Sequence, residues 1–438
     1  MAGGTWVTEN KVRPGVYINF KSEGDSKKEV SNRGVVTMPL VLSWGAKKQV
    51  IEIDHNTDFL EVLGYELLDN ELLLIKEALK EASKILAYRV NGGTKATKTS
   101  GNITVTAKYE GVRGNDIIIV IEDDIDVQDA FVVSTYLAGK KVYEQTGTTI
   151  ESLKSNPYIE YSGTGTLVAN AGIILESGAD GVTVSGDYTD YLTSIEVFNW
   201  NTMALPVEDS TIKGATVAFI KRLREEQGKK VQAVLADYSI ADTEGIISVK
   251  NGVKLADDTK VNNVKATAWV AGATAGAYVN ESNTYHNYEE ALDVDIRYTS
   301  SQIVEALNKG EWVFVENRGK ILVEQDINTF VSFTEDKGRE FRKNRVIRTL
   351  DAISNDIHRL FSDYYIGKID NTADGRNLFK AEIIKYFEEL QGINAIHNFD
   401  SATDVSVLEG NEIDVITVDV KVQPVDCMEK LYMSVTLN

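Results

Sequence analysis

The residue types that carry most chemistry are few and scattered in this chain. Four histidines, His55, His286, His358 and His397, stand without an H-x-x-x-H or H-E-x-x-H neighbour, so no two imidazoles share a helix face as a zinc site would need. The single cysteine, Cys427, sits between Asp426 and Met428 with Glu429 close by. Nearby carboxylates oppose a thiolate, so Cys427 reads as a half-buried loop residue and not as a nucleophile. One thiol also excludes an intramolecular disulfide and a multi-thiolate zinc site. No G-x-S-x-G turn is present to present a serine nucleophile. Gly228-Lys229 comes nearest to a phosphate-binding loop, but Leu223 stands where the first glycine should be and Lys230 follows. Gly163-Thr164-Gly165 is a fragment of a dinucleotide fingerprint in a β-rich stretch, and it reads as a turn. No catalytic, cofactor-binding or metal site is expected.

Two other patterns stand out. A basic run holds Arg339, Arg342, Lys343, Arg345 and Arg348, and on a helix the last three arginines fall at steps of three. It is either a solvated face paired with Glu335, Asp336 and Glu340 or a contact for an acidic partner. The two ends of the chain alternate like strands. Val16, Ile18 and Phe20 alternate with Tyr17 and Asn19, after Pro14 and Gly15 have blocked a helix. Leu431, Met433, Val435 and Leu437 alternate with Tyr432, Ser434 and Thr436. Such ends either pair within their own subunit or add a strand to a neighbour's sheet, in which case assembly runs head to tail.

Composition narrows the functional classes. In 438 residues, 46 Lys+Arg against 66 Asp+Glu give a formal charge of −20, which disfavours a nucleic-acid grip. The N-terminus lacks a signal-peptide core, and the stretch Ala266–Asn280 is too short to span a bilayer, which needs about 20 apolar residues. The expectation is a soluble, cytoplasmic protein.

The elements that must hold these features in place fall into blocks. Residues 1–24 form a loose arm. Residues 25–96 look α/β, with a buried strand in Gly34–Gly45 and helical spacing over Glu71–Tyr88, where Ile85–Val90 either ends the helix or begins a strand. Residues 97–185 turn to short alternating runs, such as Ile103, Val105 and Ala107, with a short helix expected at Thr149–Lys154; this is the pattern of an inserted all-β domain. Residues 186–333 return to α/β, with helices at Tyr188–Phe198, Thr211–Gln227, Ala266–Val279 and Ser300–Asn308 and a strand at Val231–Ala236. A hairpin follows at Trp312–Val315 and Lys320–Val323. Residues 334–420 open with a helix over Arg339–Tyr364, continue with one over Asn377–Leu390, and reach an alternating run at Asp414–Val422. Residues 421–438 form a closing arm. The fold class is mixed α/β with an inserted β-sandwich and strand arms at both ends.

Several stretches in this order resemble the sheath proteins of contractile phage tails, and of related phage-tail-like bacteriocins and defective prophages. They are Arg13-Pro14-Gly15-Val16-Tyr17, the segment Tyr109–Asp116, the segment Phe198–Pro206, the small-residue helix Ala268–Ala277, and the block from Ala306 through Ile327-Asn328-Thr329 into the basic run. The ending Met428–Asn438 is also similar. The likeness is nearest to the shorter subunits of Gram-positive phages and PBSX-like particles. It implies a non-catalytic, subtilisin-like α/β core and a subunit that stacks as hexameric rings around a tail tube, with baseplate and tail terminator proteins as further partners. It implies no cofactor, nucleic acid or membrane insertion. It also implies assembly in the bacterial cytoplasm and a place in the virion tail or a released particle. On this resemblance Val16, Tyr17, Ile18, Phe20, Leu431, Met433, Val435 and Leu437 exchange strands between subunits, and Arg339, Arg342, Lys343, Arg345 and Arg348 face the tube. An α/β hydrolase-like enzyme is the alternative.

Overall fold

A computed structural model describes residues 33–437 throughout and, before them, the strands Ala2–Gly4 and Gly15–Tyr17. Residues 1–32 form one unit and residues 33–438 another. In the first, Ala2–Gly4 pairs in parallel with Gly15–Tyr17, Ala2 opposite Gly15. The strand expected from Val16 onward thus includes Val16 and Tyr17, while Ile18 and Phe20 lie outside the described residues.

The larger unit is built on a seven-stranded sheet. From edge to edge it runs Glu311–Trp312, Ile246–Val249, Gln232–Ala236, Thr202–Leu205, Val35–Leu40, Lys84–Arg89 and Val50–Ile53. All neighbours are parallel except Val50–Ile53, which runs antiparallel to Lys84–Arg89. The inner strands are runs of buried apolar residues without alternation, as a sheet covered on both faces requires. Helices α1 (Phe59–Leu63), α2 (Leu73–Leu79), α3 (Ser185–Ile195), α4 (Ser210–Glu225), α5 (Asn263–Gly276) and α6 (Ser300–Asn308) accompany it. Phe219, Ile220 and Leu223 of α4 join Tyr191 and Ile195 of α3 in one apolar cluster, and α2 and α5 enter the other. Helix α5 is buried from Ala266 through Ala275. Its small residues let backbones meet: a Cβ on Gly272 would fall 2.5 Å from the Ala78 carbonyl oxygen, and one on Gly276 2.0 Å from that of Glu81.

The helical spacing over Glu71–Tyr88 resolves into two elements. α2 stops at Leu79, and Lys84–Arg89 is a strand, because Ile85 to Tyr88 are needed between Val35–Leu40 and Val50–Ile53. Glu311–Trp312 likewise belongs to the central sheet, and the hairpin there is Phe314–Asn317 with Lys320–Val323.

Between Arg89 and α3 the chain builds a β-sandwich of two four-stranded sheets. One contains Lys140–Gly147, Phe131–Leu137, Ile117–Asp123 and Asn170–Ile174; the other contains Ile159–Gly163, Ile103–Glu110, Gly93–Ser100 and Ala179–Asp180. Ile103, Val105, Ala107, Ile117, Ile119 and Ile121 alternate inward to fill its core. The short helix expected near Thr149 is one 3₁₀ turn, Ile150–Ser152. The stem closes where the Gly181 amide donates to the Gly92 carbonyl at 2.8 Å. Trp44, from the loop after Val35–Leu40, reaches into the sandwich and sets its ring 5.3 Å from Tyr109, edge to face.

The C-terminal part carries α7 (Asn344–Tyr364), α8 (Ala373–Gly392) and a hairpin of Val405–Glu409 with Ile416–Val420. The helix expected over Arg339–Tyr364 is broken. Arg339–Arg342 is a 3₁₀ turn, Lys343 is extended, and α7 begins after it. Tertiary hydrogen bonds impose the break: the Asn328 amide donates to the Arg342 carbonyl at 3.0 Å, and the Asn344 amide to the Asp326 carbonyl at 3.1 Å. Residues Leu431–Leu437, expected to alternate as a strand, pair with no strand among the described residues.

Candidate assembly interface

The closing arm has a fixed root and a free end. Gln423–Pro424 pairs with Ile396–His397, and the Val425 amide donates to the Ala395 carbonyl at 3.0 Å. Glu429 then turns inward. Its carboxylate accepts from Thr284 Oγ1 at 2.9 Å, from Gln325 Nε2 at 2.6 Å, and from Lys343 Nζ. Burial alone would raise this carboxyl, but the hydrogen bonds from Lys343 and Gln325 outweigh it and hold the group below the usual carboxylate range. Asp426, Cys427 and Glu429 have ligand atoms within 4.8 Å of one another. The Lys343 ammonium already lies against both carboxylates, 3.6 Å from Asp426, so the cluster has a cation of its own. Burial pushes the Cys427 thiol up, with Asp426 and Glu429 adding to it, as a non-nucleophilic thiol requires.

Beyond Glu429 the apolar residues face water. Leu431 is 84% exposed, Met433 75%, Val435 72% and Leu437 92%. Among the described residues, Lys430–Leu437 makes no hydrogen bond to the rest of the chain. An alternating apolar segment with every backbone group unpaired is a strand without its sheet.

A receiving surface lies in the same C-terminal part. Ile353 and Ile357 of α7, Phe379 and Ile383 of α8, and Val418 and Val420 of the hairpin line a groove of about 770 Å³. Each strand of the hairpin has one partner, so each leaves an edge open among the described residues. A two-stranded ribbon beside an apolar groove is marginal by itself and gains from added strands.

The basic run is dispersed by the break at Lys343. Arg339 is exposed and lies over the Phe333 ring. Arg342 is half-buried, its guanidinium pKa lowered first by burial and then by Arg339. Lys343 is engaged with Glu429 and Asp426, and Arg345 donates to the Asn394 carbonyl at 3.4 Å. Arg348 has no exposed side-chain surface: it pairs with Asp326 at 3.4 Å and donates to the Glu281 carbonyl. The expectation that Arg348 faces a partner is therefore corrected, because a side chain enclosed by its own subunit cannot reach another. Its even spacing with Arg342 and Arg345 gave no sign of this; the buried acceptor, Asp326, is distant in sequence.

The remaining chemical fragments are structural. Lys229, beside Gly228, donates to the Glu196 and Phe198 carbonyls, and burial lowers its pKa to about 8. Gly163 ends a strand. His286 pairs with Glu81 at 3.1 Å, which raises its pKa, and His358 lines the apolar groove. No helix among the described residues is long and apolar enough to cross a membrane.

Comparison with known proteins accounts for this division of labour. Four family descriptions match in chain order. They are the tail sheath protein Gp18 domain III N-terminal region at residues 33–90, the phage tail sheath protein beta-sandwich domain at 91–180, the central domain at 181–329 and the C-terminal domain at 336–438. The phage-like element PBSX protein XkdK of Bacillus subtilis is 40% identical over the full length of both chains. A crystal structure of a sheath tail protein from Desulfitobacterium hafniense is 51% identical and superposes with a TM-score of 0.87, covering 96% of this chain and 99% of that one. The contracted helical sheath of the anti-feeding prophage shares the fold, with a TM-score of 0.59 at 12% identity over 98% of this chain and 100% of that one. The chain belongs to the phage tail sheath family, and it is a structural subunit of a contractile, phage-tail-like sheath.

Proposed function

We propose that the subunit polymerises as stacked hexameric rings around a tail tube, held together by strands exchanged between copies. The observation that carries this is the exposed segment Leu431–Leu437, unpaired among the described residues, on a chain whose C-terminal hairpin has one open edge per strand among them and borders an apolar groove. Leu431, Met433, Val435 and Leu437 would pair with a neighbour's hairpin and fill its groove. Val16, Tyr17, Ile18 and Phe20 would exchange a strand from the other end, through the edge that Gly15–Tyr17 does not share with Ala2–Gly4. The sheath then rearranges between an extended and a contracted lattice without unpairing, and new contacts between core domains lower the free energy of the contracted one. Small gains per copy add up over many copies.

The seven-stranded, mostly parallel sheet with helices about it supports a subtilisin-like topology for the core. Tube contact through the basic run narrows to exposed Arg339, with Arg342 and Arg345 behind it, since Lys343 and Arg348 are engaged within the chain. Screened polar contacts of this kind are weak enough to break on contraction. Baseplate and terminator proteins would cap the ends of the cylinder, and assembly would take place in the bacterial cytoplasm. A hydrolase-like enzyme is not favoured, since the matched relatives are structural sheath proteins. Deleting residues 430–438 tests the reading. The truncated subunit is expected to keep the thermal midpoint of the full chain and to form no tubes by negative-stain microscopy. Tubes of normal length would refute strand exchange.

A further inference from the structure

Glu429 differs from its neighbours in the arm. Met428 and Lys430 on either side are exposed, yet the Glu429 side chain is 12% exposed and is held by donors from three separate stretches. Thr284 follows α5, Gln325 follows the Lys320–Val323 strand, and Lys343 is the extended residue before α7. The next fixed point toward the N-terminus is Val425, bonded to Ala395. Between the two, the Cys427 amide bonds to the side chain of adjacent Asp426 and its thiol meets Ser282, so among the described residues the loop is held by the inward carboxylate, the Asp426–Lys343 ion pair and that one weak thiol contact.

We propose that Glu429 is a releasable pin that gives the C-terminal arm two free lengths. With the pin set, Lys430–Leu437 spans at most about 29 Å, at roughly 3.3–3.6 Å per extended residue. With the pin drawn, Asp426–Glu429 join it, and the maximum reach grows to about 43 Å. Polar contacts that are partly exposed suit this task, because water replaces them at little cost. The inference rests on strand exchange and deepens it. Two lattices place the root of one arm at different distances from its acceptor edge, and an arm of two lengths keeps the same strand pairing in both. It also gives Lys343 a role inside the subunit: its charge seats the arm.

The test has two parts. Cleavage after Glu429 by a glutamate-specific protease releases the peptide beginning at Lys430, which mass spectrometry quantifies. Lys343→Met, and separately the pair Thr284→Val with Gln325→Ala, is expected to speed this cleavage at least tenfold at an unchanged global melting midpoint. Equal rates in wild type and both variants would overturn the pin. Particles assembled with either variant are then titrated with guanidinium, and contraction is scored by microscopy. The variants should contract at a lower concentration than wild type. Faster cleavage with an unchanged contraction threshold would overturn the two-length role while leaving strand exchange intact. Only polymerisation of the chain lacking residues 430–438 would remove strand exchange itself.

Discussion

The central sheet and the C-terminal hairpin are both rich in β-branched residues, yet they treat their edges in opposite ways. The sheet ends on one side in a two-residue strand, Glu311–Trp312, and on the other in the short antiparallel strand Val50–Ile53. Helices and loops bury its inner strands completely. The hairpin keeps five residues per strand, one partner each among the described residues, and borders an apolar groove. Proteins normally blunt such edges against unwanted pairing. The difference fits the strand exchange proposed above: the sheet closes its own core, and the hairpin leaves edges that a second copy would use.

That contrast is open to attack at several points. The largest effect is expected at the joint between the two regions. Arg224 of α4 and Asp351 of α7 form a buried bidentate pair at 2.7 and 2.8 Å. Asp351→Ala leaves the buried guanidinium with only Glu244 at 3.9 Å and the Val231 carbonyl, and should cost about 3 kcal/mol in urea unfolding. Gly276→Ala, which forces α5 off the Glu81 carbonyl, should cost about 1–3 kcal/mol in the same measurement. Val418→Asp in the hairpin should change subunit stability by less than about 0.5 kcal/mol and still cut polymer yield, read by sedimentation. If it unfolds the subunit instead, the hairpin belongs to the core and the contrast fails. The smallest effect concerns acid. Because the Glu429 carboxyl is depressed in the folded chain, its contribution is whole above the ordinary glutamate pKa of about 4.3 and is lost as pH falls through the lower folded value. Cleavage of the arm root at Glu429 should therefore be slow at pH 6; arm mobility by NMR should rise only once the pH falls below the ordinary glutamate range.

Much of this architecture is legible in the sequence where local pattern and burial agree. Helix α6 spans Ser300–Asn308 as expected, because Thr299 and Gln302 form a capping box and Gly310 follows its end. The strand Gln232–Ala236 falls within the expected Val231–Ala236, where the apolar run Ala233–Ala236 is fully buried. The errors come from tertiary override. Leu72, Ile75, Leu79, Ala82 and Leu86 keep a helical rhythm across Glu71–Tyr88, but the last of them lies in a strand that the sheet requires. Arg342, Arg345 and Arg348 keep a rhythm too, and a buried acceptor far along the chain takes the third. The alternation of Leu431–Leu437 is visible in the sequence; its partner is not, since a single chain holds no record of which edge completes it.

The sandwich departs and returns through a single narrow doorway, where Gly92 meets Gly181. A module hung this way is decoupled from the register of the sheet beneath it. Another compact fold with adjacent ends could take its place only if it also met the core residues that the sandwich satisfies: Trp44 and Leu60 pack into it, Arg89 donates to the Glu110 carbonyl at 2.9 Å, and Arg113 donates to the Gly64 carbonyl at 2.7 Å. For anyone grafting foreign cargo onto the subunit, this doorway is the joint that the scaffold itself offers.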